Sequence, residues 1–387
     1  MLIPKEFDEI RPWEPEDLPQ VYDRLLGNEQ FKKVVAYVLP GVPFAAVAEK
    51  MRACKSTMQF QLAFIYEFIK KLMEKASTGF DLDATAIDRH GNYTFVSNHR
   101  DIVMDSGLLD ELLVDAHFDT TCEIAIGDNL LAVPWVKDFC RLNKAFIVER
   151  GLPPRQMLQA SKRLADYMHF AITQKHENVW IAQREGRAKD SNDRTQEGVL
   201  KMMAMGGEGT VAQRLAALHI VPTTISYEYD PCDFLKAKEF QQKRDTPGWK
   251  KGPTDDLVSM ETGIMGYKGH VHYHCSACLD EWLLALEPDM PKGAFFKEVA
   301  ERIDHDIHAN YRLYPNNFVA LDELEGSSDN NGHYTTADKR RFDEYIAAQL
   351  ARIELPNKDE AYLRERMLTM YANPVRNFRA ATAPDKA

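Results

Sequence analysis

The stretch Phe95-Val96-Ser97-Asn98-His99-Arg100-Asp101-Ile102-Val103-Met104-Asp105-Ser106 places a histidine where an apolar run ends in polar residues and a new helical pattern begins. Imidazole is the side chain that takes and returns a proton near neutral pH, and a carboxylate beside it holds the tautomer and supports the charged form. Asp105 and Asp101 both qualify as that partner. Asp101 also stands where a helix start calls for a cap. The chemistry this pattern suits is removal of a proton from an attacking hydroxyl. Downstream, Lys144-Ala145-Phe146-Ile147-Val148-Glu149-Arg150 ends a short apolar run on an arginine, and Arg184-Glu185-Gly186-Arg187-Ala188-Lys189 follows another such run. A guanidinium offers a planar fork of donors suited to phosphate oxygens, and a glycine lets backbone approach closely. The chain carries 48 Lys and Arg against 59 Asp and Glu, a formal charge of −11. Arg150, Arg187 and Lys189 therefore stand out as a local positive site for an anionic substrate.

A second cluster, His270-Val271-His272-Tyr273-His274-Cys275-Ser276-Ala277-Cys278, alternates three histidines along an apparent strand and runs into a Cys-x₂-Cys pair. On one face these could hold a metal; alternation equally puts the histidines on the polar side of an edge strand. No second Cys-x₂-Cys or His-x₃-His pair lies at zinc-finger spacing, so no metal is expected. The six cysteines are otherwise scattered, which in a chain of 387 residues reads as reduced thiols rather than a disulfide framework.

These residues must be held by elements that the apolar periodicity outlines. Strands are expected at Tyr93–Ser97, Ala145–Val148, Val179–Gln183, Ile220–Tyr227 and His270–Cys275, and helices at Gly107–Ala116, Pro154–Ile172, Thr195–Met205, Asp233–Gln242 and Ala294–Tyr311. The alternation predicts an α/β fold, a mixed, mostly parallel sheet covered by helices. Residues 1–80 read as an N-terminal helical region, 81–326 as the α/β domain, and 327–387 as a C-terminal helical extension whose Pro374 and alanine-rich end suggest a frayed tail. Within the first region, the apolar segment Tyr37–Val47 contains Pro40, Gly41 and Pro43 and must interrupt any helix. A buried helix–helix connection is the expected reading, with a membrane-dipping hairpin as the alternative.

Asn98-His99 followed by a helix-opening aspartate resembles the first motif of the glycerol-3-phosphate and 1-acylglycerol-3-phosphate acyltransferases. The segment ending at Arg150, the segment Trp180–Lys189 and the proline-broken run Ile220-Val221-Pro222-Thr223-Thr224-Ile225 resemble the family's second, third and fourth motifs, in the family's order. The resemblance implies a fatty acyl transfer from acyl-CoA or acyl-carrier protein to a hydroxyl of a phosphorylated glycerol in phospholipid synthesis. His99 would be the base and Asp105 its support, with Asn98, Arg100, Arg150, Glu185, Gly186, Arg187 and Lys189 at substrate-binding positions and no further cofactor. Two features depart from the pattern. Five residues rather than four separate His99 from Asp105, which a bulged first helical turn would absorb; and Glu185 and Arg187 cannot both be aligned with the family without a gap. No Gly-x-Ser-x-Gly elbow is present, so donor and acceptor are expected to bind together rather than in turn through an acyl-serine. Another lipid acceptor, or a non-catalytic lipid-binding relative, are the competing readings.

The negative charge argues against nucleic acid as a partner. The N-terminal residues lack the basic start and apolar run of an export signal, and no apolar stretch approaches the roughly 20 residues a membrane-spanning helix needs. A cytoplasmic protein follows as the expectation, meeting lipid substrates by peripheral contact at the inner membrane face.

Overall fold

The structure is a computed structural model that describes residues 3–252 and 254–384. Its centre is a seven-stranded sheet: β1 Gly79–Asp83, β2 Thr94–Ser97, β3 Cys122–Gly127, β4 Ala145–Val148, β5 Asn178–Ala182, β6 Ile220–Tyr227 and β7 His270–Cys275. Their spatial order is β1-β7-β6-β2-β5-β3-β4, and every neighbouring pair is parallel except β6 with β7. The expected mixed, mostly parallel sheet under helices is what forms.

Alternation along each strand divides the sheet between two apolar layers. Phe95, Trp180 and Val221 meet Ile69, Met73, Leu108 and Leu112 on one face, while Val96, Ile181 and Ile220 meet Leu164, Met168, Phe296 and Ile303 on the other. Pro222 is tolerated in the interior strand β6 because its missing N–H faces the side where β7 has already ended; its carbonyl accepts from Ser276 N–H at 3.0 Å. Two further cores flank the sheet. One lies among the N-terminal helices, including Leu25, Phe31, Met51 and Phe60; the other joins Phe234 and Leu321 to Phe342, Leu363 and Tyr371 of the C-terminal helices.

Two strands were not legible as strands, and polar residues explain both. β3 carries Glu123, only 1 % exposed, whose carboxylate takes Lys175 at 2.6 Å and the Tyr167 hydroxyl. β1 alternates Asp81 and Asp83, which pair across the register with the β7 histidines: Asp81 contacts His272 and lies 3.0 Å from His270, and His274 lies 3.3 Å from Asp83. Thus β7 is not the edge strand expected from its histidines, because β1 covers it.

Two other expectations are corrected. Tyr37–Val47 does join two helices, Glu29–Val38 and Phe44–Ala53, but it is not buried: Tyr37 is 74 % and Val42 46 % exposed. The C-terminal helical extension forms as two helices, Thr336–Ala351 and Glu360–Thr382, with Pro356 between them. The tail is not frayed at Pro374; the second helix runs through it, holding Val375 and Asn377 in the interior and tying Asn373 to Asp190 O at 2.7 Å. Among the described residues no helix is long and apolar enough to cross a membrane.

Candidate active site

The carboxyl ends of β2, β3, β4 and β5 converge on one edge of the sheet, where the connecting loops gather polar side chains around a cavity. His99 lies two residues past β2 and lines that cavity. Its Nδ1 is 2.8 Å from Asp105 Oδ2, an oxygen that also accepts from the backbone N–H of Arg100 at 2.6 Å and of Asp101 at 3.0 Å. The carboxylate is completely buried and the His99 side chain 13 % exposed. Three contacts converge on this one oxygen and fix the carboxylate in place. The His99 contact occupies Nδ1 and leaves Nε2 as the free ring nitrogen. Trp180 sets its ring edge-on against the imidazole at 5.6 Å and is itself fixed by a 3.0 Å bond from its indole N–H to Ser97 Oγ.

The extra residue between His99 and Asp105 sits before the helix, not in a bulged first turn. Asp101 Oδ1 accepts from Val103 N–H at 2.9 Å and Met104 N–H at 2.8 Å, closing a tight turn from which the helix Met104–Asp115 begins. Asp101 thus serves the backbone, as its position suggested, and burial pushes its carboxyl above the usual range.

Two residues expected to touch substrate do not reach the cavity. Asn98 is fully buried and spends its side chain on β6, accepting from Ile225 N–H at 2.8 Å and donating to Ile225 O at 2.9 Å. It continues the β2–β6 ladder past the point where backbone pairing ends. Arg100, 5 % exposed, points inward to Asp193 at 3.1 Å, and Lys236 Nζ donates to its carbonyl at 2.9 Å. A charged side chain next to a functional histidine resembles a ligand contact in sequence, whereas here its nearest anion is a buried aspartate from another loop.

The remaining candidates do gather. Arg150, Glu185, Gly186, Arg187 and Lys189 all line the cavity with His99. Arg150 Nη1 stands 3.7 Å from Glu185, an open pair whose partners are 36 % and 71 % exposed. Arg187 is 8 % exposed, and its Nη1 is buried without a hydrogen-bond partner. Lys189 contacts Glu239 at 3.1 Å; burial, with Arg187 nearby, pulls its ammonium down to about 7. Gly186 adopts a left-handed φ of +70°, which lets the chain turn between Glu185 and Arg187. The missed strand β3 brings Gly127 and Asn129 to the same wall. A Cβ at Gly127 would fall 2.8 Å from Arg150 Nε and 2.5 Å from Asn129 Oδ1, so the arginine lies flat over bare backbone. The only sequence signal for this pair was the apolar run Ile124–Ile126 followed by Gly-Asp-Asn.

The cavity measures about 2200 Å³. Its wall on the Arg187 side carries Lys243 and Lys251 as well, whereas on the other side it passes between the sheet and the N-terminal helices, lined by Met51, Phe64, Phe68, Ile69 and Leu72. His99 therefore sits between a basic region and a long apolar one, an arrangement that suits an amphipathic ligand.

Residues 82–226 match the family model of the acyltransferases. That segment contains His99, Asp105, Arg150, Arg187 and the proline of β6. The chain carries an acyltransferase domain. No curated protein sequence matches this acyltransferase. Among solved structures it is similar to the 1-acyl-sn-glycerophosphate (LPA) acyltransferase PlsC from Thermotoga maritima, 13 % identical, with 74 % of this chain and 94 % of that one covered and a TM-score of 0.40.

Proposed function

We propose that this acyltransferase moves a fatty acyl group from acyl-CoA or acyl-carrier protein to a hydroxyl of glycerol 3-phosphate or 1-acylglycerol 3-phosphate. The observation that carries this reading is the continuity of one cavity from orphaned Arg187, past His99 held by Asp105, into the apolar channel under the N-terminal helices. The acceptor's phosphate would meet Arg187 and Arg150, and the acyl chain would lie in the channel. His99 Nε2 accepts the hydroxyl proton as that oxygen adds to the thioester carbonyl; the tetrahedral adduct collapses with cleavage of the C–S bond, and the departing thiolate takes the proton back. Pockets for one drug-sized ligand measure about 300–1,000 Å³, so a cavity of about 2200 Å³ has room for donor and acceptor together. Direct transfer in a ternary complex follows, and initial-rate patterns of the ping-pong type would count against it.

Arg187→Ala and Arg150→Ala test the acceptor. A charge-assisted hydrogen bond to phosphate is worth about 1.5–3 kcal/mol, so each variant should raise KM for the phosphorylated acceptor by about 10- to 100-fold with the KM for acyl-CoA unchanged. The effect should be larger for Arg187, which is more deeply buried and has an unpaired Nη1. Unaltered acceptor KM in both variants would direct attention to a non-phosphorylated lipid alcohol.

Delivery of such substrates implies contact with a lipid surface, and two apolar lips border the cavity. One is formed by Val34, Tyr37, Val38 and Val42, the other by the helix Asp255–Met265, where Leu257 is 59 % and Met265 56 % exposed. The double substitution Tyr37→Asp/Val42→Asp should lower co-flotation with phospholipid vesicles by about tenfold, since a charge placed at the interface must be desolvated. Equal flotation of wild type and variant would remove this surface from the proposal.

A further inference from the structure

The sequence cluster at His270–Cys278 comes apart in three dimensions. The three histidines turn to Asp81 and Asp83, while Cys278, past the end of β7, joins its near neighbour Asp280 and the sequence-remote His219. His219 immediately precedes β6, and Asp280 opens the helix Asp280–Ala285. One ligand atom from each of His219, Cys278 and Asp280 lies within 4.8 Å of the other two. This trio sits at the amino end of β6, beside the start of β2, and therefore at the opposite edge of the sheet from His99.

We propose that His219, Cys278 and Asp280 form a binding site for a zinc-type divalent transition metal. Sulfur, imidazole and carboxylate together suit Zn²⁺ or Co²⁺ rather than the all-oxygen environment of Mg²⁺ or Ca²⁺. The main chain at each ligand is anchored. The carbonyl of His219 accepts from Thr94 N–H at 3.0 Å, and Leu279 N–H donates to Ile220 O at 2.9 Å, so both sides of the site are tied to strand ends. Asp280 hydrogen-bonds His219 Nδ1 through one oxygen, and its second oxygen, Oδ1, is buried with no partner. His219 is 45 % exposed, which leaves an entry route and a fourth position for water. The metal would replace the proton between His219 and Asp280 and the thiol proton of Cys278, cross-linking the start of β6 to the segment that leaves β7.

Titration of the full-length, metal-stripped protein with Co²⁺ tests this directly, because a cobalt–thiolate bond produces a charge-transfer band in the near ultraviolet. One equivalent should bind with that band, and Zn²⁺ should displace it. Cys278→Ser should abolish the band, and His219→Asn should raise the dissociation constant at least about tenfold, the equivalent of about 1.4 kcal/mol. Asparagine tolerates the left-handed φ of +48° at position 219, so this second variant keeps the test open if Cys278→Ser does not fold. Absence of the band in folded wild type, its persistence in Cys278→Ser, or an unchanged affinity in His219→Asn would each overturn the proposal.

Discussion

His99→Ala should lower kcat for acyl transfer by about 10²- to 10⁴-fold, the range supplied by a positioned general base. KM for both substrates should change little, since the ring takes a proton in the transition state and holds neither substrate. The measurement is acceptor-dependent thiol release from acyl-CoA, run with glycerol 3-phosphate and separately with 1-acylglycerol 3-phosphate. Folding should survive, because the side chain contacts chiefly Asp105 and Trp180 at the cavity wall. Asp105→Asn should lose activity comparably while changing stability as well, as its Oδ2 also receives the Arg100 and Asp101 N–H groups. A folded His99→Ala variant with wild-type turnover would end the base assignment. Silence of the wild type with both acceptors would shift the search to acyl-carrier protein as donor or to a different acceptor.

Arg100→Ala and Asp193→Ala should each cost about 3–5 kcal/mol of stability, because removing one partner leaves the other charge buried and uncompensated. The pair is 5 % and 0 % exposed and 3.1 Å apart. Burial pushes the Asp193 carboxyl up while the Arg100 guanidinium opposes that shift. The bond joins the loop that carries His99 to the loop that carries Arg187 and Lys189, so loosening it should also depress turnover. Urea unfolding of both single variants and of Arg100→Met/Asp193→Leu checks the origin of the cost: the double variant should recover much of the loss, since a buried ion pair is often replaceable by apolar residues of similar volume. Near-zero effects in both single variants would show that water reaches these charges.

The strands β4, β6 and β7 were legible at their observed bounds because each is a run of β-branched, aromatic or alternating residues that ends in turn chemistry. β1 and β3 were not, because their buried or paired carboxylates read as loop until Lys175, Tyr167 and the β7 histidines are placed beside them. The same cause separates the site residues that gather from those that turn away. Arg187 and Arg100 look alike in sequence, yet one lines the cavity and the other ends in a buried ion pair. The direction of a long side chain depends on which loop from another strand lies beneath it.

What local sequence determined was therefore the α/β architecture and the place of His99 at a strand's carboxyl end. Apolar period and chain-break residues act over a few positions and need no distant partner. Tertiary structure alone decided which carboxylate holds His99, which basic residues face the cavity, that Gly127 underlies Arg150, and that Cys278 keeps company with His219 rather than with the three histidines before it. Each of these depends on groups remote along the chain meeting where water is excluded, and there an unpaired charge or polar atom costs enough to choose its partner.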